Sequence, residues 1–280
     1  MVAINTNTGA LNARMYALSA DREQSTAMER LSSGLRVNQA ADDAAGLAVA
    51  NKMTNQLRGI NMGIRNAQDG VGLIQSAEAG LNEIKNMVLR MRELAVQMSN
   101  GIYEDSPDRA NAHLEVQALH TQIDLIATNT KFNDVTLLNG GTSFVIQAGS
   151  TTAESISFTI ANLKASGLGL TAATNDGTPA NVSVSQITAA TTAIGFLDKA
   201  LSNLATAQAN LGSVQNRLNY SISNLTRAGV ATEGAVGRIM DADFARETTN
   251  LSKQQILSQA ATAMLAQANQ SKGLILQLIQ

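Results

Sequence analysis

Between Ala50 and Met98 an apolar position recurs every three or four residues, with no proline to interrupt it. The series runs Ala50, Met53, Leu57, Ile60, Ile64, Ala67, Val71, Ile74, Ala77, Leu81, Ile84, Val88, Met91, Ala95 and Met98. A seam of that length specifies one long helix, at about 45–99, buried along a single edge. Its two consecutive steps of three, at Ala77, mark a stammer where a coiled coil overwinds. Such a helix makes a rod, not a rounded domain around a pocket. Gly59, Gly63, Gly70, Gly72 and Gly80 lie inside it, each costing about 1 kcal/mol relative to alanine. Close approach of neighbouring backbone would account for that cost.

Composition agrees with extended helices. The 280 residues include two prolines (Pro107 and Pro179), no tryptophan, and only 3% aromatic residues. A core of Ala, Leu, Ile and Met has little bulk and suits close helix–helix packing. Cysteine is absent, which excludes disulfides and thiolate metal sites. A net charge of −2 supplies no field to recruit nucleic acid. No apolar run is long enough for a membrane span. The opening MVAINTNTGALNAR lacks the basic and apolar regions of a cleaved signal peptide, so export by another route is expected.

The remaining chain divides readily. Ile4, Leu11, Met15, Leu18, Met28, Leu31 and Leu35 have helical spacing, and Gly34 is a natural left-handed stop. Asp42 and Asp43 then sit where an N-cap and a first-turn acid start the next helix. Ser106 and Pro107 have N-cap and first-turn chemistry for a third helix, at 107–128, with seam Val116, Leu119, Ile123 and Ile126. TKFNDVTLLNGG closes it as a turn. From 142 to 185 the composition shifts to Ser, Thr, Gly and β-branched residues. Phe144 and Ile146, then Ile156, Phe158 and Ile160, alternate as strands do, which predicts hairpins.

Helical spacing returns in Ile194, Leu197, Leu201, Leu204, Leu211, Val214, Leu218, Ile222 and Leu225. Gly229, Gly234 and Gly237 predict a break. Asp241 or Asp243 then caps a last helix with seam Leu257, Ala261, Met264, Ala268, Ile275 and Leu278. The expected fold is mainly α with a small β region at about 135–188.

The two ends share an unusual property. From Thr248 to Gln280 the only charges are Lys253 and Lys272, and Arg14 is the only one among the first twenty residues. Leu265 and other large side chains lie off the seam, so the last helix is apolar nearly all round. Such a helix must be buried on several sides. One monomer offers too few partners, so the chain is expected to polymerise through its ends.

Longer motifs carry a family resemblance. INTNTGALNA, ERLSSGLRVNQAADDAAGLAVANKM, RNAQDGVGLIQSAEAGLNEI, LRMRELAVQ and QQILSQAATAMLAQANQ resemble bacterial flagellins, across about the first 140 and last 90 residues. The resemblance implies a subunit of the extracellular flagellar filament. Its N- and C-terminal helices (1–40 and 242–280) would pair as an inner polymerisation domain. Residues 41–241 would form an outer rod of long helices without large added domains. Self-assembly would rest on Ile4, Leu11, Met15, Leu18, Leu31, Leu35, Leu257, Met264, Leu265, Ile275 and Leu278. Gly34, Asp42 and Asp43 would form the joint. The family also implies flagellar type III export, an export chaperone on the C-terminal helix, and cap and hook-junction proteins as partners. A host Toll-like receptor recognises flagellins through the region of Arg90, Glu93, Leu94 and Glu115; a filament contact is the other role for these residues. FND at 132–134 stands where FNG is usual, the tail SKGLILQLIQ departs from the common ending, and Leu89 stands where Gln is frequent.

No catalytic or metal constellation emerges, and no cofactor is expected. His113 and His120 are seven apart, not at the four-residue spacing that brings two rings to one zinc, and they read as surface histidines. A hook–filament junction protein, sharing the terminal helical plan, is the nearest alternative. A carbohydrate- or receptor-binding protein using the β region as its surface is another alternative, though that region's few aromatics, Phe144 and Phe158, disfavour a sugar platform.

Overall fold

The computed structural model describes residues 6–149, 151, 153–173 and 179–279. Ile4 lies outside them, and so do the side chains of Ile275 and Leu278. The order is α1 (Thr8–Ser33), α2 (Ala44–Met98), a π-helical turn (Asp105–Arg109) and α3 (Ala110–Asn129). Among the described residues six short strands follow: β1 (Lys131–Phe132), β2 (Val135–Thr136), β3 (Ser143–Gln147), β4 (Ser155–Thr159), β5 (Thr171–Ala173) and β6 (Pro179–Asn181). Helices α4 (Ile187–Met240) and α5 (Phe244–Ile279) complete the chain. The chain is mainly helical, and its β structure consists of antiparallel two-stranded ladders. It divides into two compact units, residues 58–229 and residues 1–57 with 230–280.

Unit 58–229 is built on facing seams. From Ala67 the α2 series is buried almost without exception, and Ile74, Ala77 and Leu81 are fully buried through the stammer. Helix α4 answers with Ala190, Ala193, Leu197, Ala200, Leu204, Ala207, Leu211, Val214 and Leu218. Its small positions are therefore Ala193, Ala200 and Ala207, whereas Ile194 and Leu201 only flank the core. Helix α3 contributes Val116, Ile123 and Ala127 to the same cluster. Leu137, Leu138, Leu163, Leu168 and Leu170, from the segments among the strands, extend it.

The β3–β4 hairpin pairs Phe144 with Phe158 and Ile146 with Ile156, and the two rings stack at 5.5 Å. Close neighbours explain three of the α2 glycines, one of them Ile146 of this hairpin. A Cβ at Gly63 would lie 2.9 Å from the Gly149 backbone nitrogen. One at Gly70 would press on Ile146, and one at Gly80 on Thr130 and Leu138. Gly63→Val is expected to lose about 2 kcal/mol by overpacking. Gly212→Ala, where the added methyl meets nothing within 4 Å, should gain up to about 1 kcal/mol from helix propensity. Urea midpoints of the two variants check both signs.

Three expectations need correction. The glycines at 229, 234 and 237 do not break α4, which is continuous to Met240. Three penalties of about 1 kcal/mol are tolerable in a long cooperative helix that no proline interrupts. Ser106 is not an N-cap but lies inside the π-helical turn. Glu104 precedes that turn in extended conformation, with no side-chain cap bond. TKFNDV is more than a helix stop: Asn133 and Asp134 adopt φ of 48° and 63° and join β1 to β2 as a tight hairpin. Both residue types tolerate the left-handed region, so an Asp serves where Gly would be usual.

Candidate functional site

The terminal helices were the candidate assembly elements, and α1 and α5 pack antiparallel. Asn7 Nδ2 donates to Ala268 O at 3.0 Å, Gln254 Nε2 to Glu23 at 2.6 Å, Ser258 Oγ to Asp21 at 2.9 Å, and Arg30 to Glu247 at 3.4 Å. Residue numbers rise on one helix as they fall on the other. The seam between them is a heptad of small residues: Ala13, Ala20 and Ala27 on α1 are buried, as is Ala261 on α5. Glu247 and Gln254 occupy the same heptad register on α5 and are buried too. The α1 alanines let α5 approach closely, and opposite them α5 presents Glu247, Gln254 and Ala261 and no large apolar side chain.

The large apolar residues therefore face outward. Met15 is 67% and Met264 63% exposed; Leu11, Leu18 and Leu257 are exposed as well, and so are Tyr16, Met28, Phe244 and Ile256. Leu31, Leu35 and Leu265 are half-buried. This corrects the expected α5 seam: Ala261 lies inside it, whereas Leu257 and Met264 border an open groove of about 610 Å³. Tyr16, Ala13 and Ala20 form the other wall, and Lys253 and Glu23 are among the lining residues. Exposed apolar surface of this extent marks an interaction site.

The segment between α1 and α2 is held by polar side chains. Gly34 adopts φ 72°, and its N–H donates to Arg30 O at 2.9 Å. Residues 34–37 then run beside 240–242: Ala242 N donates to Gly34 O, and Leu35 bridges Asp241. The two adjacent aspartates have different tasks. Asp43 caps α2, accepting from Gly46 N at 2.8 Å. Asp42 is not a helix cap; it accepts from Gln39 N at 3.0 Å and Asn38 N at 3.1 Å. Those two donors hold its carboxyl below the usual aspartate range. Glu29 is lowered similarly by the side-chain amides of Gln39 and Asn38. Arg30 lies between Glu247 and Asp42, the latter at 3.9 Å. Asp243, not Asp241, caps α5 by accepting from Ala245 N and Arg246 N.

In the other unit, Arg90 Nε donates to Glu115 at 2.9 Å and Nη1 to Glu93 at 3.2 Å. Glu115 first, then Glu93, raises the Arg90 pKa above its ordinary value. All three are surface residues. Leu94 is not: it is 4% exposed and belongs to the core.

Sequence reasoning missed Arg109, 2% exposed, which ties together the segment after α2. It also misplaced His120, which is buried with no partner for Nε2 among the described residues, while His113 is half-buried. Desolvation pushes both imidazoles below their usual range, with Asp124 partly opposing it at His120. As pH falls through about 6.5, the unfolded chain binds protons first. The stability these residues confer is full above that pH and is lost on acidification toward their lower folded values. Urea midpoints at about pH 7.5 and about pH 5 should show this slope, flattened in His120→Gln.

Two family models match the chain. The model described as the bacterial flagellin N-terminal helical region matches residues 4–143, and that of the C-terminal helical region matches 194–279. The chain is 40% identical over 304 residues to the flagellin of Bacillus subtilis (strain 168), covering 99% of both. It is 37% identical over 290 residues to the flagellar filament 33 kDa core protein of Treponema phagedenis, again covering 99% of each. Among solved structures, a putative flagellar hook-associated protein from Vibrio parahaemolyticus aligns with a TM-score of 0.58 and 14% identity. That match covers 71% of this chain and 100% of that one.

Proposed function

Since the chain belongs to the bacterial flagellin family and is a structural subunit of the extracellular flagellar filament, we propose that its assembly is driven by burial of the outward apolar faces of α1 and α5 against neighbouring copies. The observation that carries this reading is the inversion of the pair. Its inner seam is alanine on α1 and Glu247, Gln254 and Ala261 on α5, and its large apolar side chains point to solvent. Each Å² removed from water is worth roughly 25 cal/mol, and a head-to-tail contact that does not close propagates without limit.

In this reading residues 1–40 and 242–280 are the polymerisation domain and 41–241 the outer rod, with Gly34, Asp42 and Asp43 at the joint. Until a subunit is incorporated, the same faces need shielding. An export chaperone on the C-terminal helix, type III export, and cap and hook-junction proteins at the filament ends fit that need. The Arg90–Glu93–Glu115 surface is a subunit contact, and the same residues would be read by a host Toll-like receptor. The likeness to the hook-associated protein is one of fold and gives no argument for a junction role.

The test is to concentrate the purified chain with short filament seeds and image the pellet by electron microscopy. Long uniform tubes are expected. Short capped pieces, or monomers alone, would overturn the reading. A fragment of about 45–240 should remain folded on thermal melting yet form no filament.

A further inference from the structure

The sequence holds two Asn-Gly pairs among the described residues, Asn100-Gly101 and Asn139-Gly140, and the fold treats them differently. Asn100 and Gly101 are exposed, in the turn that follows α2. A Cβ at Gly101 would meet nothing within 4 Å. Among the described residues no acceptor takes the Gly101 backbone N–H, whereas Tyr103 N donates to Asn100 O. The Asn100 carbonyl also receives Arg109 Nη2 at 2.8 Å, from a guanidinium that is itself buried. The Asn100 side-chain carbonyl accepts from Ile102 N at 3.4 Å.

We propose that Asn100 is a site of self-catalysed deamidation, promoted by Arg109. The Gly101 amide nitrogen loses its proton to water and attacks Asn100 Cγ. The new N–Cγ bond forms as Cγ–Nδ2 breaks and ammonia leaves, giving a five-membered succinimide. Water then opens the ring. Attack at Cγ breaks the new bond and leaves aspartate; attack at the backbone carbonyl breaks the original peptide bond and leaves isoaspartate.

Arg109 favours both steps. A permanently charged donor on Asn100 O stabilises the imidate formed when the neighbouring nitrogen is deprotonated, and it polarises the carbonyl at which water gives isoaspartate. No side-chain donor reaches Asn139 O among the described residues. Gly140 there is held at φ 85° against Asn162, beside the buried Leu138, so the ring closure is obstructed. An isoaspartate at 100 would carry the chain through Cγ, one methylene longer toward Tyr103, and turn the carbonyl that Arg109 holds into a free carboxylate.

The experiment incubates the full chain in mildly alkaline buffer, native and in urea, and maps both asparagines by peptide mass spectrometry with isoaspartate-resolving fragmentation. In the native chain Asn100 should convert roughly tenfold or more faster than Asn139, the scale of one charged donor on a developing anion. In urea the two rates should converge, and the Asn100 rate should fall. Gly101→Ala, which the open space around Gly101 admits, should slow Asn100 alone. Equal native rates, or an Asn100 rate that rises on unfolding, would overturn the proposal.

Discussion

Arg109→Met is expected to destabilise unit 58–229 by about 3–5 kcal/mol, the cost of breaking a buried polar network on one side. Arg109 Nε donates to Met98 O at 2.9 Å and Nη2 to Asn100 O at 2.8 Å. Nη1 serves Tyr103 O and, at 2.7 Å, Asp105. The carbonyls of Met98 and Tyr103 lose this donor, and Asn100 O keeps only its bond from Tyr103 N. Met98 O is one of the last carbonyls of α2, a group that a helix end cannot satisfy for itself. The ion pair with Asp105 is a smaller matter, because that carboxylate is largely exposed. Methionine keeps the apolar stem, so the loss reports the polar contacts and not a cavity. Arg109→Lys should recover only part of the stability, since one ammonium cannot reproduce a planar fork. Urea unfolding followed by circular dichroism measures both. A methionine variant within about 0.5 kcal/mol of wild type would show that water replaces the guanidinium without cost.

That clamp illustrates where the sequence stops being readable. The α2 seam was legible because heptad spacing records which residues face a neighbour, and burial follows it through Ile74, Ala77 and Leu81. The 143–159 hairpin was legible for a similar reason, with period two marking one face. Arg109 left no such trace, since its partners are backbone carbonyls and these have no sequence signature. Gly229, Gly234 and Gly237 misled because propensity is local, whereas a helix of 54 residues is cooperative. In α1 the large apolar residues drew attention away from Ala13, Ala20 and Ala27, a strict heptad visible in the sequence all along. Which set packs inward is decided by how closely α5 approaches, and periodicity alone does not contain that distance.

Met15→Glu combined with Met264→Glu should raise the critical concentration for seeded polymerisation by at least about a hundredfold. Both side chains are mostly exposed in the isolated subunit, at 67% and 63%. Neither belongs to the alanine seam, so the α1–α5 pair should keep its helicity and its melting profile. Burying a methionine contributes about 1.5–3 kcal/mol. Replacing it with a carboxylate removes that gain and adds the cost of taking a charge out of water. Each factor of ten in an association constant is about 1.4 kcal/mol, so losing even the lower gain at both positions reaches two decades. Ala20→Leu is the complementary variant: it forces bulk into the narrow seam and should disrupt the pair itself, lowering helicity along with assembly. Sedimentation at graded protein concentrations, with circular dichroism on the supernatant, separates the two effects. Unchanged critical concentration in the double glutamate variant would mean that other surfaces drive assembly. Reduced helicity in that variant would mean that Met15 and Met264 stabilise the monomer and not the filament.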